Sequence, residues 1–203
     1  MVFIDVAVVG LVIGRLLGGR LGALADAPIK ATGLAFAAIL LQVIAFPSGV
    51  LPWETPSSGA RMLWLASYAL LISMLLRNVR LRGTPLVALG LCSNLVAILA
   101  NGGLMPVRRA ALAASGRSYH LHNNSIDLSH PHIAALVDRW AVPHWVPLAN
   151  VFSVGDVLIA VGTLICIVAA MKSPAMPRQR GSSPGDQQGH TGVGLETEPA
   201  HAA

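Results

Sequence analysis

Five long apolar stretches decide what this chain can fold into. They cover residues 2–18, 31–46, 61–76, 84–100 and 152–171, and most charged side chains lie in the segments between them. As α-helices such stretches reach about 24 to 30 Å, close to the thickness of a bilayer's hydrocarbon core. None alternates apolar and polar residues strictly, as a barrel strand would. A backbone in lipid must bond its own polar groups, which leaves the helix. The expected fold is an all-α integral membrane bundle of five transmembrane helices with a partly helical external loop.

Composition agrees. Of 203 residues, 54% are apolar and 11% charged, where soluble domains carry about 25% charged residues. Long-range disorder is excluded as well, because disorder needs low hydrophobicity. The net charge of +5 could suggest nucleic acid in a soluble protein. Here the basic residues flank the apolar stretches, so they read as orientation signals, and no nucleic-acid partner is expected. Cys92 and Cys166 fall inside apolar stretches without metal-site spacing. No cofactor or metal is expected.

The boundaries carry local signals. Thr84-Pro85 reads as an N-cap followed by Pro at the first helical position. Pro47 closes the second stretch, and Ser153 with Asp156 fits a capping box opening the fifth. The first stretch lacks a basic start and contains Arg15, so it reads as a span and not as a cleaved signal peptide. With the N-terminus outside, Arg15, Arg20, Lys30, Arg77, Arg80, Arg82, Lys172, Arg178 and Arg180 lie inside. Arg61, Arg108, Arg109, Arg117 and Arg139 lie outside, mostly in a long loop where the charge rule is weak. Trp53, Trp64, Trp140 and Trp145 then share the outer side, near helix ends, as interfacial tryptophans do. The expected location is a bacterial inner membrane, multi-pass, with residues 1–171 as the membrane domain. Residues 172–203, rich in Ser, Pro, Gly and Gln, read as a disordered cytoplasmic tail.

Residues 101–150 form the longest connection. Asn101-Gly102-Gly103 marks a turn, Val107–Ser115 a short helix, and Ser129-His130-Pro131 the start of a second helix through Trp140. Ile133, Leu136, Val137 and Trp140 would share one face of that helix, lying on the membrane or on the bundle.

Several residues invite a functional reading, each beside a plainer one. Gly10, Gly14, Gly18 and Gly22 recur every four residues. They suit homodimerisation through the first helix, or close packing within one bundle. Asn94 lies mid-span and Asn101 on the same face. With Ser153, these amides could contact a ligand, or Asn94 could bond a neighbouring helix through Gln42. His120, His122, His130, His132 and His144 crowd the loop, but their order matches no metal motif. Asp138 and Asp156 fall on the outer side. Two carboxyls in contact cannot both ionise, and such a pair can work as acid and base on water. Otherwise Asp156 serves the cap and Asp138 meets solvent, Arg139 or a histidine.

Asn101-Gly-Gly-Leu-Met-Pro-Val107 and Asn150-Val-Phe-Ser-Val-Gly-Asp-Val-Leu-Ile-Ala-Val-Gly162 resemble an uncharacterised bacterial membrane-protein family, domain-of-unknown-function family 5317. The likeness runs from the first helix to about residue 171 and implies an architecture without a mechanism. A shorter likeness joins Leu136-Val-Asp-Arg-Trp140, Pro143-His-Trp145 and Phe152-Ser-Val-Gly-Asp156 to the end of lipoprotein signal peptidase. It implies catalytic roles for Asp138 and Asp156. Ser153 and Gly155 stand where that family has Asn and Ala, and five spans replace its four. These features suit three functions: an external polar cluster of Asn101, Asp138, Ser153 and Asp156 that binds a lipid, peptide or partner; an intramembrane aspartyl protease; or a small-solute transporter, for which few polar residues lie deep.

Overall fold

A computed structural model describes residues 2–46, 57–115, 125–128, 130–142, 145 and 151–174. The chain is mostly helical. Its helices are α1 (Val2–Leu16), α2 (Gly22–Ala25), α3 (Thr32–Ala45), α4 (Ser57–Arg77), α5 (Thr84–Ala100), α6 (Arg109–Ala114) and α7 (Val154–Met171). Five of them coincide with the five apolar stretches. Four short strands accompany them: β1 (Met105–Val107), β2 (Ser125–Asp127), β3 (Trp140–Ala141) and β4 (Val151–Phe152). Two helices, over Ser58–Arg77 and Val154–Met171, are long and apolar enough to cross a membrane, while Thr32–Ala45 and Thr84–Ala100 are shorter apolar helices. The tail beyond residue 174, Pro47, Trp53 and the histidines at 120, 122 and 144 lie outside the described residues.

The helices pack in the spatial order α3, α4, α5, α7, α1. α5 and α7 meet antiparallel along a seam with glycine on both sides. A Cβ at Gly90 would stand 2.8 Å from Ile159 Cγ1, and one at Gly162 would stand 2.7 Å from the Val87 nitrogen. Gly83 faces Gly162 and Cys166, and Gly155 faces Gly90 and Asn94. Backbones this close leave no room for a methyl, and forcing one in costs about 1–3 kcal/mol. Gly10 and Gly14 of α1 likewise pack on Ile167 and Met171 of α7. At Gly10 and Gly14 a close approach is thus made within the chain, to α7. Gly18 has nothing within 4 Å and a φ of +81°.

Two expectations at helix starts and interiors are corrected. The N-cap of α5 is Gly83, with φ +90°, and Thr84 is the first helical residue. A left-handed backbone suits glycine, so the turn is set there, and the Thr84 hydroxyl lies 3.7 Å from Cys166 Sγ. Gln42 does not meet Asn94. Its Nε2 donates to Ser67 Oγ of α4 at 3.1 Å, because α3 packs on α4 and not on α5.

The segment 130–141 is not a helix. Residues 132–136 form turns, and Ile133 has a left-handed φ of +52°, unusual for a β-branched residue. The apolar spacing at 133, 136, 137 and 140 is real, but the side chains part company. Leu136 packs on the buried cluster of Tyr68, Ala97, Ile98 and Met105. Val137 is fully buried, Ile133 is exposed, and Trp140 stacks on Phe152 with centroids 5.8 Å apart. Main-chain bonding to strands overrides the helical periodicity. The Asp138 N–H donates to Pro106 O at 3.0 Å, and Asp138 O accepts from Arg108 N at 2.9 Å. On its other side Arg139 N donates to Phe152 O at 3.2 Å, and β3 pairs antiparallel with β4. β2 completes the patch, pairing parallel with β1.

A candidate two-acid site at the loop-bearing end

The strands bring the loop to the end of the α5–α7 seam. Residue 138 hangs from β1. Residues 139–141 hang from β4, and β4 runs straight into α7 through Ser153. Asp138 and Asp156 are thereby held by one short stretch of connected main chain. The predicted capping box at Ser153 is present: Asp156 N donates to Ser153 Oγ at 3.1 Å, and Ser153 N donates to Asp156 Oδ2 at 3.0 Å. Four orphan N–H groups open any helix, and this reciprocal pair satisfies one of them together with the cap's own N–H.

Asn94 enters the same cluster from α5. Its Nδ2 donates to Asp156 Oδ1 at 2.9 Å, and its Oδ1 lies 2.9 Å from Ser153 Oγ. Ser153 Oγ is also 3.0 Å from Asp156 Oδ2, so its single proton has two acceptors to choose between. Both Asp156 oxygens accept, and Asn94 and Ser153 are buried. The cluster suits an acceptor-only carboxylate, the ionised form.

Asp138 sits differently. It is 8% exposed, and its Oδ1 has no hydrogen-bond partner among the described residues. Burial, and then the neighbouring Asp156 charge, push its pKa up to about 8. A buried acid favours its neutral form, and a like charge nearby favours it further. At neutral pH Asp138 therefore carries its proton. The Tyr68 ring, buried in α4, is within electrostatic reach of both acids.

Of the residues singled out from the sequence, Asn94, Ser153 and Asp156 share one hydrogen-bonded cluster, and Asp138 stands within reach of its charge. Asn101 stands apart. Its amide donates to Ala97 O at 2.7 Å and to His132 O at 3.0 Å, and it accepts from His132 N at 2.8 Å. The amide is committed to main chain and fastens the loop onto α5. Among the described residues, no group of three His, Cys, Asp or Glu could hold a metal. Tyr68 and the seam glycines were missed from the sequence. The readable sign was the shared seven-residue spacing of Gly83–Gly90 and Gly155–Gly162.

No curated protein and no solved structure matches the chain. A family of unknown function does, over residues 26–168, a stretch that holds the seam, both acids and their partners, and the chain belongs to that family, DUF5317.

Proposed function

We propose that this is an integral membrane protein whose working centre is the Asp138–Asp156 pair, acting as acid and base in hydrolysis of a peptide bond at the membrane boundary. The observation that carries the reading is the unequal state of the two acids. Asp156 is ringed by donors, whereas Asp138 is buried with an oxygen unmatched and a pKa near 8. A proton on one carboxyl and a charge on its neighbour is the arrangement two-carboxyl hydrolases use. Asp156 would take a proton from water as its oxygen adds to the peptide carbonyl carbon. Asp138 would give its proton to the carbonyl oxygen. In the collapse of that adduct Asp156 gives its proton to the nitrogen, the C–N bond breaks, and an adduct hydroxyl returns its proton to Asp138, releasing a carboxylic acid and an amine with both acids as they began.

The membrane setting is supported by what faces outward. Phe36 is 72% exposed and Met62 70%, and Leu40, Leu89, Val96, Leu99, Val161 and Ile165 also point away from the protein. Only 17% and 22% of the two long apolar helices is buried inside the protein, where a soluble core helix would be mostly buried. Lipid is the solvent that such faces suit. In our reading α1, α3, α4, α5 and α7 all cross, with the N-terminus outside, the tail in the cytoplasm and the two-acid end external. Labelling of single cysteines introduced at positions 57 and 79 tests the orientation: only position 57 should react from outside.

The hydrolase reading is tested with purified protein in lipid nanodiscs and membrane-anchored peptide and lipoprotein precursors. Cleavage by the wild type that is lost in both Asp138→Asn and Asp156→Asn supports it. Cleavage unchanged in both variants, or none by the wild type on any such substrate, sinks it. The second reading, a binding cluster for a lipid, peptide or partner, rests on the unmatched Asp138 oxygen, which a ligand donor would fill. A component co-purifying with the wild type and lost from Asp138→Leu favours that reading.

A further inference from the structure

The two acids come from different parts of the chain, and something must fix their relation. Pro106 of β1 and Arg108 hold Asp138 through main-chain bonds, and β4 holds Arg139 beside it. Among the described residues, the Asp156 carboxylate, half-buried at the first turn of α7, has local bonds only to its own cap residue. Its bond from another helix among the described residues comes from Asn94, across the seam, at 2.9 Å. That reach is possible because the facing positions are glycines. A Cβ at Gly155 would collide with the Asn94 amide and stand 2.7 Å from Gly90 O. Asn94 is 5% exposed, and both ends of its amide are occupied, by Asp156 and by Ser153. An amide buried in an apolar helix is costly unless its partners are fixed. This one has fixed partners, and they are the cap and the acid.

We infer that Asn94 is a positioning residue: its amide, reaching across the glycine seam, fixes the Asp156 carboxylate opposite Asp138 so that the two acids act as a pair. The inference rests on the two-acid reading of the site but not on the reaction catalysed there. Asn94 itself carries no proton that titrates. Among the described residues, the titratable groups coupled to Asp138 are Asp156 of α7 and, from α4, Tyr68, whose ring both carboxylates influence. On its own segment, Arg139 lies over the Trp140 ring at 5.1 Å.

The test is a substrate-free titration of the Asp138 carboxyl, followed by infrared or NMR signals of isotope-labelled aspartate in nanodiscs and assigned with Asp138→Asn. The wild-type midpoint is expected near 8. In Asn94→Leu, which keeps the branching of the side chain and removes both polar contacts, the freed Asp156 carboxylate turns toward water. The Asp138 midpoint should then fall by about one unit as the nearby charge withdraws. Gly155→Ala displaces the same amide without changing its chemistry. It should lower the midpoint in the same direction, and it carries the test alone should Asn94→Leu not fold. An unchanged or raised midpoint in the folded variants overturns the inference. A lowered midpoint together with wild-type protein that cleaves nothing keeps Asn94 in its role and removes only the hydrolase. Cleavage by the wild type with no change of midpoint does the reverse.

Discussion

Where residues 78–83 turn from α4 into α5, the Asn78 amide takes Lys30 N at 2.8 Å and gives to Lys30 O at 2.8 Å. At the opposite end of α5, Asn101 grips His132 by the same two main-chain atoms. Both ends of the bundle are thus closed by one device, an asparagine that imitates a paired backbone. Past the clamps the two ends diverge. The Asn78 end continues directly into Gly83 and the seam. The Asn101 end adds the strands β1 to β4 and sets a buried acid among them. Closing a helical bundle plainly does not require Asp138, whose burial costs free energy that the fold could avoid with an apolar residue. An acid kept at such a cost is what distinguishes the loop-bearing end from the other.

Acidity should separate the two ends most sharply. The folded-state pKa of Asp138 is about 8 against an ordinary 3.8. The folded form therefore holds a proton that the unfolded form has released. The Asp138 contribution to stability is full below about pH 4 and falls as pH rises toward 8, by up to about 1.4 kcal/mol per unit. Asp138→Asn should flatten that slope in denaturation curves recorded in detergent between pH 5 and 8, and Asn78→Ala should leave it in place. A wild-type curve without slope would break the comparison.

The seam offers the next largest effect. Gly90→Val forces a branched side chain against Ile159 and Gly155 and should cost about 1–3 kcal/mol. Gly22→Ala, with nothing within 4 Å, should stay within about 0.5 kcal/mol. The clamps come third. Asn101→Ala and Asn78→Ala should each cost about 1–3 kcal/mol by leaving bonded main chain without its partner. Only Asn101→Ala should speed hydrogen exchange at the Asp138 amide. The smallest effect belongs to Ser153→Ala, where the loss of one cap costs about 1 kcal/mol, visible as a lowered melting temperature.

Much of the helical frame was legible, because long apolar runs with capped ends admit few alternatives. The fifth stretch shows this best, since Ser153 and Asp156 announced a cap that the structure forms. The strands were not legible. Val107 and Asp138 are joined by a bridge between positions far apart in sequence, and nothing local distinguishes the 133–140 pattern from a helix. Asn94 was conspicuous as a mid-span amide, but its partner was misjudged. Choosing between Gln42 and Asp156 requires knowing which helix lies beside α5, and periodicity carries no neighbour order. The state of Asp138 was further out of reach, since it depends on burial in the folded loop and on the Asp156 charge from α7.

The two asparagine clamps also make a prescription about which positions are free to drift. Each seizes an N–H and a C=O, and these atoms are common to nineteen of the twenty amino acids. The clamps alone would accept anything at residues 30 and 132 except proline, whose nitrogen has no hydrogen to offer, while at 78 and 101 they require the amide. The histidine at 132, so tempting as a chemical group, is spoken for through the part of it that is not histidine at all.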